Sequence, residues 1–279
     1  MATGGDALNG PAFVGPALVG PAFLGPAFVG LVPAAGRARR IAPLPLSKEL
    51  YPVGFREVQG SPRPVPACEH LLGAMAAAGA TTVYVVLADG KWDIPAYLGD
   101  GSELGLDIAY LTMRHSPGVP FTVDRAHAHV RDSTVAFGFP DIVFTPADAL
   151  LRLRARRDAG GADIVLGLFP TDRPEAADLV DADARGRVRR VLVKPTGSPL
   201  RLAWALAVWG PAFSEHLHAW IGSDKAAATS GPLPVELQLG HVVQSAVDSG
   251  LRVEAEVLDG TFTDIGTPEG LRAAVRASM

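Results

Sequence analysis

Six apolar, strand-like runs alternate with helical patterns along most of this chain. The runs are GLVPA near Leu31, TTVYVVLA from Thr81, STVAFGF from Ser133, ADIVLGLF from Ala162, VRRVLV from Val188 and LAWALAVW from Leu202. Helical patterns cover residues 68–78, 123–130, 146–159, 212–220 and 236–249, and residues 251–278 end the chain with a strand, a turn and a helix. Such alternation is typical of parallel strands joined by crossover helices. It predicts an α/β fold with an open, mostly parallel, Rossmann-like mixed sheet flanked by helices.

The N-terminal part of the chain has a different character. Residues 10–30 repeat a five-residue unit, GPAFV GPALV GPAFL GPAFV. A proline at every fifth position prevents a continuous helix, and a unit of five residues is too short for a solenoid repeat. We therefore expect residues 1–29 to be a low-complexity extension without a function of its own, and residues 30–279 to form one domain.

Composition restricts the partners and the compartment. The net charge is only −4, with 25 basic and 29 acidic residues, so we expect no nucleic-acid partner. No unbroken apolar window of about 18 residues that is free of proline and glycine occurs, so we expect no membrane partner either. The single cysteine, Cys68, allows no intramolecular disulfide and fits a reducing, cytoplasmic environment, where we expect it in the core. The sequence leaves open whether the chain is a homo-oligomer.

The stretch GLVPAAGRARRIAPLPLSKELYPV, residues 30–53, predicts a phosphate-binding loop. It follows the first strand, and open α/β sheets bind ligands beyond the carboxyl ends of their strands. Small residues let backbone N–H groups approach an anion, and the arginines at 37, 39 and 40 add charge-assisted hydrogen bonds. Neither the Walker spacing nor the G-x-G-x-x-G dinucleotide fingerprint is present. This pattern favours a triphosphate ligand.

Six segments in fixed order carry a resemblance to a known family. They are PAAGRARR, SKELYPV, RPVPACEHLLGAMAAAGATTVYVV, FGFPDIVFTP, VLVKP and FTDIGTPEGL. The chain resembles the sugar-phosphate nucleotidylyltransferases, the group containing glucose-1-phosphate thymidylyltransferase and UTP-glucose-1-phosphate uridylyltransferase, over nearly all of residues 30–274. The resemblance implies a nucleotide-diphospho-sugar transferase fold over residues 30–279. It also implies Mg²⁺ as cofactor and a nucleoside triphosphate and a sugar 1-phosphate as partners.

The resemblance also implies roles for individual residues. Arg40 matches the loop arginine that contacts the triphosphate, and Lys48 matches the lysine that steadies the phosphates during transfer. Asp141 and Asp264 match the two metal-binding aspartates, and Lys194 matches the lysine that holds the sugar phosphate. The nucleotide-binding positions that the resemblance implies are Ala34, Ala35, Gly36, Arg37 and Gly118.

This residue set suits nucleotidyl transfer. A phosphate oxygen of the sugar 1-phosphate attacks the α-phosphorus of a nucleoside triphosphate, and pyrophosphate leaves, so two strongly anionic groups must be brought together. Two carboxylates can hold Mg²⁺ against the phosphates, while arginine and lysine neutralise developing charge. No general base is required, because the attacking phosphate is already ionised. A pyrimidine triphosphate (dTTP or UTP) and glucose 1-phosphate are the first expectations from the family.

The sequence departs from the family pattern at several positions. Ala38 and Arg39 replace a glycine and a threonine of the loop, and Ala38 fits there if its φ is negative. The other departures are Met113 for a glutamine that reads the base, Pro140 for a glycine and Val193 for a glutamate. These changes leave open an alternative, a non-catalytic domain that binds a sugar nucleotide or regulates another protein. A nicotinamide-dependent Rossmann enzyme is disfavoured by the absent fingerprint.

Several residues also have purely structural interpretations. Asp141 could cap a segment and Asp264 could belong to an ordinary turn. The histidines at 127, 129, 216 and 218 have i, i+2 spacing that separates their rings on a helix, so we interpret them as surface residues. For Trp204 and Trp209 we favour core packing over contact with a sugar ring. Asp89, Gly90 and Lys91 predict a turn in which Gly90 has a positive φ.

Overall fold

The computed structural model describes residues 26–223 and 237–277. The pentapeptide repeat therefore lies mostly outside the described residues. The first strand begins at Phe28, two residues before the expected start of the domain. Within the described ranges, no helix is long and apolar enough to cross a bilayer.

The described strands and helices follow the predicted alternation. The strands are β1 (Phe28–Ala34), β2 (Pro52–Val58), β3 (Ser61–Pro66), β4 (Thr82–Ala88), β5 (Asp107–Met113), β6 (Thr134–Gly138), β7 (Ile142–Phe144), β8 (Ile164–Pro170), β9 (Leu179–Ala182), β10 (Val188–Leu192), β11 (Leu202–Trp209), β12 (Val253–Val257) and β13 (Phe262–Asp264). The helices are α1 (Ala67–Ala77), α2 (Asp93–Leu98), α3 (Val119–Asp124), α4 (His127–Val130), α5 (Ala149–Gly160), α6 (Pro211–Ile221), α7 (Leu239–Asp248) and α8 (Pro268–Ala277).

Nine of the described strands form one open mixed sheet, as predicted. Its main path is β10-β9-β11-β6-β1-β4-β5, and β8 joins β12 to the edge of β11. Strands β6, β1, β4 and β5 are parallel, whereas β11 runs antiparallel to β6 and β8. The parallel strands consequently deliver their carboxyl ends to one edge of the sheet. We call this edge the carboxyl edge.

Apolar side chains cover both faces of the sheet. One cluster joins the strands to α1 and α5, through residues such as Leu71 and Leu150, and a second joins them to α3, α6 and α7. Burial on both faces explains why strands such as β11 read as continuous apolar runs rather than as alternating patterns. Cys68 is buried, as predicted, and so are Trp204 and Trp209.

The hairpin of β2 and β3 was missed in the sequence. It contains prolines in both strands, and proline within a run argues against a strand because it cannot donate to the ladder. The turn itself carries a recognisable signal, since Gln59 and Gly60 adopt φ values of 51° and 74°. Two consecutive positive φ values match the type I′ turn that connects tightly paired strands.

Two further predictions need correction. The helix predicted over residues 123–130 is two short helices, α3 and α4, joined at Arg125 and Ala126. His127 is not a surface residue, because its side chain is only 13% exposed. Its ring stacks on that of His218 with centroids 3.9 Å apart. Helix α6 packs against this side of α4. The periodicity of a single helix cannot predict which of its polar faces a second helix will bury.

Candidate functional site

The predicted phosphate loop leaves the carboxyl edge directly after β1. Ala34 and Ala35 are 1% and 4% exposed, so both residues are buried at the end of β1 and their role in nucleotide binding stays a prediction. Gly36 and Arg37 line a cavity of about 800 Å³ at this edge. Ala38 has a φ of 52°, so the condition of a negative φ is not met. An alanine held in the left-handed region shows that the surrounding loop imposes this conformation.

Lys48 is anchored beneath the loop by its neighbours. The Asp93 carboxylate accepts hydrogen bonds from the backbone N–H of Ser47 at 2.6 Å and from its hydroxyl at 2.7 Å. Glu49, which is 1% exposed, pairs with Lys91 at 2.5 Å. These contacts fix the short 3₁₀ turn at residues 48–50. A β-carbon on Gly36 would lie 3.6 Å from Lys48 Nζ, so the ammonium group lies directly under the loop.

Lys48 forms an ion pair with Asp141, just beyond the carboxyl end of β6. Lys48 Nζ donates a hydrogen bond to Asp141 Oδ2, and the two side chains are 13% and 11% exposed. Burial acts to raise the pKa of Asp141, but the Lys48 charge and hydrogen bond outweigh it and lower the pKa. For Lys48, burial acts to lower the pKa, while the charges of Asp141 and Glu49 raise it overall. Both groups are therefore held in their charged forms.

Pairing between β7 and β13 brings the second predicted metal ligand to the same place. Asp264 lies opposite Ile142, and the N–H of Ile265 donates to the carbonyl of Asp141 at 3.0 Å. A β-carbon on Gly266 would lie 2.8 Å from Asp264 Oδ1 and 2.9 Å from Asp141 Oδ2. Oxygens of both carboxylates therefore lie within 3 Å of one point beside Gly266.

Arg40 completes the group from the loop side. Its Nη2 atom lies 3.3 Å from Asp264 Oδ2. The same atom would lie 3.3 Å from a β-carbon on Gly266. Burial and the nearby Asp141 charge raise the pKa of Asp264, against the lowering effects of Arg40 and Lys48. The structure therefore brings together four of the predicted site residues, Arg40, Lys48, Asp141 and Asp264. We call them the four-residue cluster.

Asp141 and Asp264 offer the carboxylate oxygens that a divalent cation such as Mg²⁺ prefers. Mg²⁺ is commonly bound by one or two carboxylates together with phosphate oxygens and water. In the described part of the chain, no group of three or more histidine, cysteine, aspartate and glutamate side chains forms a complete metal site. A cation between Asp141 and Asp264 would also relieve the repulsion that raises the pKa of Asp264.

Two basic residues of the cavity were not identified in the sequence. Lys91 and Arg114 line the cavity beside the phosphate loop. The sequence predicts a turn at Lys91, and Gly90 has the expected positive φ of 89°, but nothing local reveals that the turn faces a cleft. Arg114 follows β5, a strand that was not predicted. Because Arg114 directly follows β5, its position at the carboxyl edge could be predicted only if β5 had been predicted.

Gly118 and Lys194 lie away from the four-residue cluster. Gly118 directly precedes α3, and a β-carbon there would lie 2.6 Å from the carbonyl oxygen of Leu237, so glycine is required for close approach of two backbones. Lys194 follows β10 and has a φ of 40°. Its charge acts on Asp178, and no described ion pair joins it to the cluster. Their ligand-binding roles stay predictions.

Comparisons with known proteins agree with this architecture, although no family model matches the chain. The chain is 24% identical to the low-salt glycan biosynthesis nucleotidyltransferase Agl11 of Haloferax volcanii, over 88% of this chain and 64% of that protein. It is 27% identical to a glucose-1-phosphate thymidylyltransferase of Streptomyces antibioticus, over 85% of this chain and 62% of that protein. The chain thus spans slightly less than two thirds of the length of these relatives.

Solved structures with a similar fold carry the same descriptions as the sequence relatives. A structure from Bacillus anthracis, described as a glucose-1-phosphate thymidylyltransferase in complex with sucrose, matches with a TM-score of 0.76 at 18% identity. The match covers 90% of this chain and 95% of the other. The predicted resemblance is therefore confirmed by two independent comparisons. This chain is similar in sequence to sugar-phosphate nucleotidylyltransferases and shares its fold with a solved structure described as one of them.

Proposed function

We propose that this protein joins a nucleoside triphosphate to a sugar 1-phosphate, giving a nucleotide-diphosphate-sugar and pyrophosphate. The observation that carries the proposal is the convergence of two cations and two carboxylates at the carboxyl edge. Lys48 pairs with Asp141 and Arg40 with Asp264, and both carboxylates face one point beside Gly266. This charge pattern suits a reaction in which a metal ion and cationic side chains hold two phosphate groups together.

The reaction needs no proton transfer by the protein. An ionised oxygen of the sugar phosphate forms a bond to the α-phosphorus, and the bond from the α-phosphorus to the oxygen bridging to the β-phosphate breaks. The leaving pyrophosphate takes up the negative charge. Lys48 lies under the loop and can neutralise this charge, while Arg40, which is 61% exposed on its side chain, can reach the incoming triphosphate.

In this proposal Asp141 and Asp264 hold Mg²⁺. Bound Mg²⁺ would withdraw charge from the phosphate oxygens and keep them aligned. The ion pairs would then exchange partners, with Lys48 and Arg40 passing from the carboxylates to the phosphates. Ion pairing in the free protein keeps both cations oriented before substrate binds, which reduces the cost of organising them.

The cavity beside the loop suits the nucleotide. Its volume of about 800 Å³ lies in the range of sites for small ligands, and Gly36, Arg37, Lys91 and Arg114 form part of its wall. We propose dTTP or UTP as the triphosphate and glucose 1-phosphate as the sugar substrate, and the names of the relatives support this pair. Gly36, Arg37 and the backbone of Ala34 and Ala35 would bind the nucleotide.

The alternative, a non-catalytic domain that binds a sugar nucleotide, is not favoured. A binding domain has no need of two facing carboxylates, because like charges at this distance are costly unless a cation joins them. Both aspartates are present, and each is paired with a cation.

A substrate panel tests the proposal. Purified protein is offered ATP, CTP, GTP, UTP or dTTP with glucose, galactose, mannose or N-acetylglucosamine 1-phosphate, with and without Mg²⁺, and pyrophosphate release is measured. We expect release with at least one pair, only in the presence of divalent metal. Binding of a nucleotide sugar without release from any pair would reject the enzyme and support the binding domain.

A further inference from the structure

A second cavity, of about 500 Å³, is lined by described residues that are all charged. They are Arg156, Asp183, Arg185, Arg187, Arg252 and Glu254. The lining therefore carries two more positive than negative charges at neutral pH. A concave site with an excess of one charge concentrates ligands of the opposite sign. We call this space the arginine cavity.

The strand register places the arginine cavity at the amino ends of the parallel strands. Trp209 pairs with Val135 near the start of β6 and with Ile164 at the start of β8. β12 runs parallel to β8 and begins at the same end, and Arg252 directly precedes β12. Asp141 lies beyond the opposite end of β6. The length of a strand therefore separates the arginine cavity from the four-residue cluster.

The tip of the β9–β10 hairpin is held against α5 and β12. The backbone N–H of Ala255 donates to the carbonyl of Gly186 at 2.7 Å, and Arg156 Nη2 donates to the carbonyl of Arg185 at 2.5 Å. Gly186 has a φ of 81°, and a β-carbon there would clash with the Ala255 carbonyl and with Arg156. Glycine therefore allows the tip to approach this closely.

Glu254 is fully occupied by two of the arginines. Its carboxylate is buried, and it accepts hydrogen bonds from Arg156 Nε at 3.1 Å and from Arg252 Nε at 2.7 Å, one on each oxygen. These pairs fix both guanidinium groups at the wall of the cavity. Arg252 is still 51% exposed on its side chain, so its remaining N–H groups are accessible to a ligand.

Arg185 and Arg187 supply the charge that the protein does not neutralise. Asp183 Oδ1 accepts the backbone N–H groups of both residues, at 2.9 Å and 3.0 Å, and Asp183 Oδ2 lies 4.0 Å from Arg189. Within residues 26–223 and 237–277, no carboxylate forms an ion pair with the guanidinium group of Arg185 or Arg187. Both side chains are exposed at the cavity.

The chemistry of the lining selects its ligand. Planar guanidinium groups form paired, charge-assisted hydrogen bonds with phosphate oxygens. Balancing the charge of the lining takes at least two negative charges, and its described residues include no aromatic side chain that could hold a nucleobase. We infer that the arginine cavity binds a diphosphate or longer polyphosphate group through Arg185, Arg187 and Arg252.

Calorimetry with inorganic pyrophosphate tests the inference. The wild type is compared with a double variant, Arg185→Ser with Arg187→Ser, in EDTA and at fixed ionic strength. Binding at the four-residue cluster is common to both proteins, so a difference between them reports on the arginine cavity. We expect the dissociation constant at this cavity to rise at least about tenfold in the double variant, because hydrogen bonds to a charged ligand are lost.

A second double variant, Arg189→Ser with Arg190→Ser, is the matched control. It removes the same charge from the same hairpin, at exposed residues that are not among those lining the cavity, and it should bind pyrophosphate like the wild type. An equal loss of affinity in both double variants would show that the basic hairpin attracts anions without a specific site. That result, or the same affinity in all three proteins, overturns the inference.

Chemical modification of the wild-type protein locates the ligand without any substitution. Phenylglyoxal modifies accessible guanidinium groups, and mass spectrometry gives the rate at each arginine. Pyrophosphate at about ten times its dissociation constant should slow modification of Arg185 and Arg187 by about tenfold, and leave Arg189 and Arg190 unchanged. Equal slowing at all four residues would overturn the inference.

Further anions distinguish the sources of the phosphate group. Protection of Arg185 and Arg187 by UDP as well as by pyrophosphate would support a diphosphate site that also accepts nucleotides. Protection by UDP-glucose without protection by pyrophosphate, or equal protection by sulfate at the same ionic strength, would overturn the assigned ligand class. None of these measurements requires turnover, so they remain decisive even if the proposed function fails.

Discussion

Lys48 Nζ donates a hydrogen bond to Asp141 Oδ2, joining the phosphate loop after β1 to the end of β6. Both side chains are largely buried, so this pair sets the position of the ammonium group before substrate binds. Replacing Lys48 by methionine should lower kcat by about 10²- to 10³-fold, because a charge aimed at the developing negative charge is lost. Single-turnover measurements with saturating substrates check this.

Lys48→Arg is the informative companion variant. It keeps the charge but presents a larger, planar group in a space shaped for an ammonium. We expect partial recovery of kcat relative to Lys48→Met. Equal kcat in the wild type and in Lys48→Met would exclude a role for this charge in the chemical step.

The two aspartates should respond oppositely to neutralisation when stability is measured. Asp141 has a lowered pKa, so its ionised form stabilises the fold at pH values above its ordinary pKa, and this contribution is lost as the pH falls through the lowered value. Asp141→Asn should therefore destabilise the protein at neutral pH by about 3 kcal/mol, because Lys48 would lose its buried partner. The free energy of unfolding of this variant should also fall less than that of the wild type when the pH is lowered.

Asp264 has a raised pKa, so its ionised form is disfavoured in the free protein. Asp264→Asn should stabilise the fold at neutral pH by no more than about 1 kcal/mol, since solvent screens a side chain that is 35% exposed. Both variants should lose activity. Urea unfolding across pH 4–8, compared with pyrophosphate release, checks the pair. If Asp141→Asn and Asp264→Asn both destabilised the protein, or both stabilised it, at neutral pH, the assigned pKa directions of the two aspartates would be wrong.

Gly266 tests whether the carboxylates act as one metal site. A methyl group there would lie within 3.3 Å of Asp264, Asp141 and Arg40, so Gly266→Ala should force these side chains apart. We expect the Mg²⁺ concentration at half-maximal activity to rise at least about tenfold, since a small displacement of ligands weakens a tightly fitted site. Gly54→Ala is the control, because a β-carbon on Gly54 has nothing within 4 Å. An unchanged Mg²⁺ requirement in Gly266→Ala would argue against shared binding.

Cys68 should be chemically inert in the native protein. Burial, followed by the charges of Glu69 and Glu49, raises the pKa of its thiol, and only the thiolate reacts with alkylating agents. Iodoacetamide should modify Cys68 slowly between pH 7 and pH 9, because very little of the buried thiol is ionised in that range, and rapidly once the protein is unfolded in urea. Mass spectrometry measures both rates. Modification of the native protein as fast as that of the unfolded protein would show that the thiol is accessible.

The sequence was most informative where a local pattern sufficed. Continuous apolar runs identified β1, β4, β6, β8 and β11, because strands buried on both faces need no polar alternation. The order of motifs located the loop and both aspartates. Approach of Asp264 to Asp141 could not be derived from spacing alone, since it depends on pairing between β7 and β13, two strands of three residues each.

Tertiary contacts account for most of what was missed. Lys91 looked like a turn residue, and its pairing with the buried Glu49 joins segments 42 residues apart. The positive φ of Ala38 was equally hidden, because alanine gives no sequence signal for the left-handed region.

Phosphorus NMR of a reaction mixture tests the central proposal most directly. The active triphosphate and sugar 1-phosphate are incubated with the protein, with Mg²⁺ or with excess EDTA, and the phosphorus signals are followed over time. With Mg²⁺ we expect the sugar phosphate and triphosphate signals to be replaced by those of a diphosphate ester and of pyrophosphate in equal amounts. With EDTA, or with Asp141→Asn, these signals should not form. Release of inorganic phosphate without the diphosphate ester, or the same product formed by Asp141→Asn at the wild-type rate, would contradict the proposed site.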